Sequence, residues 1–228
     1  MSEKRVLSCG LWGHNPIYVV GAVKNAILAR KLFPDWTVRF YIPDYWTHKV
    51  AEAGTVEFRN FKPGIPNMFQ RFLVADDSGV DRFVIFDADS RLDQRLLSAV
   101  NAWIESGKSS WVARDHPAHA KPIMAGLWGA RGGQLPMMLP TIRQWIRRRE
   151  KKGKAFDYYG SDEEFLGEEI WPLICVHSLQ HDSVCRKHYP GSIPFPTARQ
   201  FPRYLGERFS EDDRPLDDGW KQITKEHE

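Results

Sequence analysis

The chain is 228 residues long and 42% hydrophobic, enough for one globular domain with a sizeable core. Its 32 basic and 29 acidic side chains leave a net charge of +3, too even a balance to mark a polyanion-binding protein without a localised basic patch. Three cysteines (Cys9, Cys175, Cys185) do not make a disulfide scaffold, and the start MSEKRVLSCG lacks a long apolar core, so a soluble cytoplasmic chain with no signal peptide and no membrane span is expected.

RVLSC, residues 5–9, reads as a short strand that runs through the loop GLWGHNP into a helix. Asn15 followed by Pro16 is a strong helix start, with Asn as N-cap and Pro at the first helical position. Ile17, Val20, Val23 and Ile27 recur at helical spacing and predict the buried face, with Lys24, Arg30 and Lys31 opposite. TVRFYI alternates as a second strand closed by Pro43 and Asp44, and TVEFRNF reads as a third. MFQRFLVADD reads as helical. RFVIF is a continuous apolar run of the kind a strand buried on both faces shows.

Leu96, Val100 and Ile104 mark a further helix, and SSWVAR a further strand ending on DHPAH. PIMAGLWGARGG is Gly-rich and aromatic. Leu139, Ile142 and Ile146 predict a helix, and GSDEEFLGEEIW a short one. Alternating strands and helices imply an α/β fold with a largely parallel sheet, in which ligands bind outside the carboxyl ends of the strands. We place one domain over 1–209 and a polar surface tail over 210–228.

The sequence FVIFDADSRL puts Asp87 and Asp89 at such a strand end. Carboxylates there are costly to desolvate, and two of them repel each other unless a cation bridges them. Mg²⁺ or Mn²⁺, with their preference for oxygen, are the economical compensation; the alternative is a pair of loop acids capping the next helix or pairing with Arg82 or Arg91.

Strand, DAD and position in the chain together resemble the D-x-D signature of GT-A-fold nucleotide-sugar glycosyltransferases. Further motifs follow the order of that superfamily's family 8-like members. FQRFLVADD, with Arg71, resembles the helix that faces the nucleotide. IMAGLWG, with Gly126 and Trp128, resembles the acceptor-side loop. GSDEEFL resembles an acidic helix start, with Asp162-Glu163 where the family often has Asp-Gln, and LQHDS offers His181 as the late metal ligand. The resemblance implies a single Rossmann-like GT-A domain with a mixed, mostly parallel central sheet flanked by helices. It also implies Mn²⁺ or Mg²⁺ on Asp87, Asp89 and His181, a UDP- or GDP-sugar donor, and a hydroxyl-bearing glycan or glycoconjugate acceptor.

On that view Arg71 neutralises phosphate or braces a D-x-D carboxylate. Asp162 and Asp115 are the candidate bases for the acceptor hydroxyl, although SDEE is equally a capping box with Ser161 as N-cap. His116 lies in a strand-end loop that is also a plausible turn. Trp128 is either a sugar platform or a packing residue, and Asp44 can reach the base or ribose.

Three rival readings remain. FVIFDADS alone also fits the first motif of haloacid-dehalogenase-like phosphohydrolases, with Asp87 as nucleophile, but some eighty residues of strand and helix precede it. The run CVHSLQHDSVCRKH lacks the paired spacing of structural zinc. The basic helix over 143–154, with Arg143, Arg147 and Lys151 on one face, is the only nucleic-acid feature; a solvated face explains it as well, and no nucleic acid is expected.

Overall fold

The computed structural model describes residues 3–54, 56–216 and 218–222, so Asp217 and 223–228 of the expected polar tail lie outside the described residues. Seven strands form one sheet: β1 (Arg5–Gly10), β2 (Trp36–Tyr41), β3 (Val56–Arg59), β4 (Arg82–Ile85), β5 (Ser110–Arg114), β6 (Trp128–Arg131) and β7 (Ser178–Asp182). Their order is β3-β2-β1-β4-β6-β5-β7. β6 runs antiparallel to both of its neighbours, β4 and β5, and every other pairing is parallel. The sheet is thus mixed and mostly parallel, as the sequence implies.

Period-two alternation gives the sheet two apolar faces. Val84 of β4 and Phe86 just beyond it join a core with Leu7 and Cys9 of β1, while Phe83 and Ile85 join a second core on the other side. The first core is covered by α1 (Pro16–Leu32) and α3 (Gln94–Ser106). A 3-10 helix over Asn67–Asp76, α4 (Met138–Lys151) and α5 (Ser161–Phe165) cover the second. A short α2 (Asp44–Ala51) follows β2, and a π-turn over Leu166–Ile170 runs from α5 into α6 (Trp171–Ile174). Two helical layers sandwich the sheet, so both of its faces are covered and the strand ends are where polar chemistry is available.

α1 begins as its sequence predicts: Asn15 accepts from the Ile17 amide at 3.1 Å, and Pro16 opens the helix. Its buried face differs from the expected one. Val19, Ala22, Ala26 and Ala29 face the sheet, and Ile27 is 48% exposed. The reason is close approach: a Cβ on Gly21 would lie 2.0 Å from the Ala88 carbonyl, so the helix turns its small residues inward. At α5, Gly160 (φ 86°) is the N-cap, and the Ser161 hydroxyl lies 3.2 Å from Met68 Sδ. The expected capping box therefore does not form. Among the described residues no helix is long and apolar enough to cross a membrane.

Candidate active site

The chain leaves β1 towards β2 on one side, while β4 lies on the other, so the order of connection reverses between β1 and β4. Such a point opens a crevice at the carboxyl ends of the strands. The loop after β1 and the turn after β4 form its walls. A recess of about 30 Å³ lies between Gly10, Trp12, Tyr18 and the Asp87–Asp89 turn, room for about two water-sized species.

β4 ends at Ile85, and the acidic pair sits just beyond it in a turn, where the Ser90 amide and hydroxyl donate to the Asp87 carbonyl at 3.2 and 2.8 Å. The two side chains diverge. Asp87 turns towards the 3-10 helix, where Arg71, only 4% exposed, donates through Nη1 to its Oδ1. The other arm of Arg71 donates to Asp162 Oδ2 on α5 at 2.8 Å. One buried guanidinium thus ties three separate segments together. Burial works against its charge, but Asp87 and Asp162 outweigh burial and hold its ionisation above the ordinary arginine range. Gly126 completes this corner, since a Cβ there would stand 1.9 Å from Asp87 Oδ2. Any side chain at 126 would push the carboxylate aside.

Asp89 points the other way and accepts from Arg208 Nε at 2.8 Å. Burial, then repulsion by Asp87, raises its carboxyl above the ordinary range against the pull of Arg208. The repulsion of Asp89 by Asp87 is what a hard divalent cation would relieve, and such an ion needs only one or two protein carboxylates when phosphate oxygens and water supply the rest.

Asp162 is also raised, first by burial, against the pull of Arg71. Its neighbour Glu163 is the group the sequence reading passes over. Burial, then repulsion by Asp162 and Asp87, pushes Glu163 up to about 7, with the Ala125 amide pulling the other way. Tyr159, in the loop before α5, is 96% exposed and within electrostatic reach of Arg208, Glu163, Asp87 and Asp89. Its neighbour Tyr158 anchors that loop by donating to Glu164, which also pairs with Arg149 at 2.9 Å.

The remaining sequence candidates lie elsewhere. Asp115 is fully buried and accepts from Arg95 (2.9 and 3.0 Å), Arg199 (2.7 Å), Ser183 (2.7 Å) and the Leu205 amide (3.0 Å). Saturated by donors and shut off from solvent, it is an anchor for the C-terminal segment rather than a base. His116 packs at a tilt against Tyr204 with ring centroids 4.3 Å apart, and its ring nitrogens meet the Gly219 carbonyl and the Ala118 amide.

His181 does not join Asp87 and Asp89. It lies on β7, three strands from β4, about 14 Å at normal strand spacing. There its Nδ1 accepts from Trp111 at 2.9 Å, and its ring stacks on Phe195. Burial, then Arg95, lowers its pKa to about 4, as for a neutral core histidine. Among the described residues no three His, Cys, Asp or Glu side chains form a metal-binding group.

Trp128 is fully buried between Phe72 and Phe83, so it is a core residue and not a sugar platform. Asp44 is the exposed first residue of α2. Arg143, Arg147 and Lys151 lie on the exposed side of α4, while Arg148 and Arg149 pair with Glu169 and Glu164, the pattern of a solvated face.

A second, larger cavity of about 410 Å³ lies behind this site, lined among others by Arg95, Gln200, Glu207 and Phe209. The segment Glu207–Phe209 is the partition: Glu207 and Phe209 line the cavity, while Arg208 reaches Asp89.

No family model matches the chain, and no curated protein sequence matches it significantly. Solved structures do. The galactosyltransferase LgtC, determined in complex with donor and acceptor sugar analogues, superposes with a TM-score of 0.52 at 11% identity, covering 80% of this chain and 74% of that one. A glycosyltransferase involved in glycosylation of the major capsid of PBCV-1 gives 0.49 at 13% identity, over 84% and 91% of the two chains. A glucose-1-phosphate thymidylyltransferase, described as putative, from Bacillus anthracis gives 0.45 at 12% identity, over 79% and 86%. The sheet order, its single antiparallel strand and the superposition on LgtC agree: this chain has the GT-A fold.

Proposed function

We propose that the protein is a metal-dependent glycosyltransferase that moves a sugar from a nucleoside-diphosphate sugar to a hydroxyl group of a glycan or glycoconjugate. The observation that carries this reading is the Asp87–Arg71–Asp162 bridge with Asp89 beside it, set at the reversal point of the sheet. Asp87 and Asp89 would hold Mn²⁺ or Mg²⁺, which supplies Lewis-acid stabilisation of the charge that develops on the leaving phosphate.

The chain's own residues do the rest. Arg71 fixes Asp87 and draws Asp162 towards its charged form against burial. Trp12, Tyr18 and Tyr159 offer aromatic faces at the rim for the nucleobase and sugar. During transfer the bond from the sugar's anomeric carbon to the phosphate oxygen breaks, with its electron pair going to that oxygen. A bond forms from the acceptor oxygen to the same carbon, and the acceptor proton passes to the Glu163 carboxylate. A pKa of about 7 matches that task at neutral pH. The phosphohydrolase alternative fits less well, because Arg71 already holds an oxygen of the Asp87 carboxylate that would have to attack.

The test is a thermal-shift panel of UDP-, GDP-, CDP- and dTDP-sugars with and without Mn²⁺, on the wild type and on Asp87→Asn and Asp89→Asn. At a ligand concentration about 100-fold above Kd, stabilisation should approach ~2.7 kcal/mol and should need both the metal and both aspartates. No response to any nucleotide sinks the proposal.

A further inference from the structure

The two aspartates of the acidic turn are neutralised differently. Arg71, on Asp87, is 4% exposed and locked by its second bond to Asp162. Arg208, on Asp89, has a side chain 46% exposed, and Asp89 is the sole side chain to which it is bonded among the described residues. Its backbone is well held. The Phe209 amide donates to the Asp89 carbonyl at 2.8 Å, Phe209 bridges to Pro215, and Asp213 in the intervening turn pairs with Lys24 and Arg91 at 2.6 and 2.8 Å. The strap therefore delivers a long, half-exposed guanidinium to a fixed address beside the cleft, with Tyr18 and Tyr159 in electrostatic reach.

We propose that Arg208 is an exchangeable counter-cation: it and a divalent metal ion compete for the Asp89 carboxylate, and the displaced guanidinium passes to the phosphates of the arriving nucleoside diphosphate. The proposal rests on the metal-dependent reading above. Both halves of the exchange are chemically matched. A partly exposed guanidinium–carboxylate pair is weak enough to give way. The planar fork of arginine binds phosphate oxygens as well as it binds a carboxylate. Metal and nucleotide then bind cooperatively, because each benefits from the same movement of Arg208.

The test measures Mn²⁺ affinity by water-proton relaxation on the full chain, with and without UDP. It compares the wild type with Arg208→Ala, with Arg208→Gln, which keeps an N–H donor but no charge, and with Asp89→Asn. Arg208→Ala should bind Mn²⁺ alone about fivefold more tightly than the wild type, the upper range for a partly exposed ion pair, with Arg208→Gln in between. Adding UDP should improve Mn²⁺ affinity more in the wild type than in Arg208→Ala. Equal Mn²⁺ affinity in the wild type and Arg208→Ala, with binding still lost in Asp89→Asn, overturns the exchange and leaves the glycosyltransferase reading intact. No Mn²⁺ binding by any of these proteins, with or without UDP, removes the metal reading and the exchange together.

Discussion

Replacing Arg71 by Met keeps most of the aliphatic stem and removes the guanidinium, with its charge, its two carboxylate bonds and its place over the Phe72 ring. The perturbation strands Asp162, whose side chain is 10% exposed, and Asp87, at 38%, beside each other without their shared cation. Breaking a buried ion pair by deleting one partner costs about 3–5 kcal/mol. The partial exposure of Asp87 places this case near the lower end, about 3 kcal/mol at pH 8. Asp162 already stands above the ordinary carboxylate range with Arg71 present, and it rises further without it. A carboxyl whose folded pKa exceeds its unfolded one binds extra protons in the folded state, so stability falls as pH rises through that range. The deficit of Arg71→Met should therefore be full at pH 8 and smaller at pH 5, as the raised Asp162 carboxyl takes up its proton. Urea unfolding at the two pH values reads it directly. A deficit below about 1 kcal/mol at pH 8, or one of equal size at both pH values, would refute the bridge as a buried electrostatic keystone.

Two further outcomes follow from the same corner. Gly126→Ala inserts a methyl group 1.9 Å from Asp87 Oδ2. Because the neighbour is the end of a side chain and not backbone, stability should fall by only about 1 kcal/mol, while transfer falls roughly 100-fold through the misplaced carboxylate; an unchanged metal-dependent nucleotide response would contradict this. With Glu163 as the base, wild-type transfer should rise with pH through an ionisation at or a little below its pKa of about 7, since a bound cation lowers it. Glu163→Gln should lower the rate about 100-fold and flatten the profile between roughly pH 5 and 8; a slope that survives the substitution excludes Glu163.

Local pattern carried the sequence reading a long way. The strand at Arg5, the Asn15-Pro16 helix start, the apolar run before Asp87 and the helix marked by Leu96 and Val100 all depend on neighbours a few residues away, and all are where they were expected. β6 was read as a Gly-rich loop because its four residues have no periodicity of their own; pairing with β4 on one side and β5 on the other makes it a strand. Burial then decided Trp128, which that pairing carries into the core. Asp115 and His181 share the same history. Each sits at or beside a strand end, where ligand sites cluster, and each is claimed by partners remote in sequence: Arg199 lies 84 residues from Asp115, and Trp111 lies 70 from His181. Glu163 was hidden in an acidic run that reads as helix-capping chemistry. Arg208 was hidden in a polar C-terminal stretch, and nothing local distinguishes it until the strap returns to Asp89.

The cavity behind residues 207–209 bears on how that strap can respond. Close-packed interiors transmit a displacement because every side chain is wedged against another. Glu207, paired with Arg203 at 3.1 Å, and Phe209, beneath Arg91 and Arg203, also border about 410 Å³ of space. On that side, a small shift of the partition displaces solvent rather than prising apart packed groups. The edge of the acidic cleft that carries Arg208 is thus softly sprung, whereas the opposite edge, built on Arg71 and the aromatic core beneath it, is stiff.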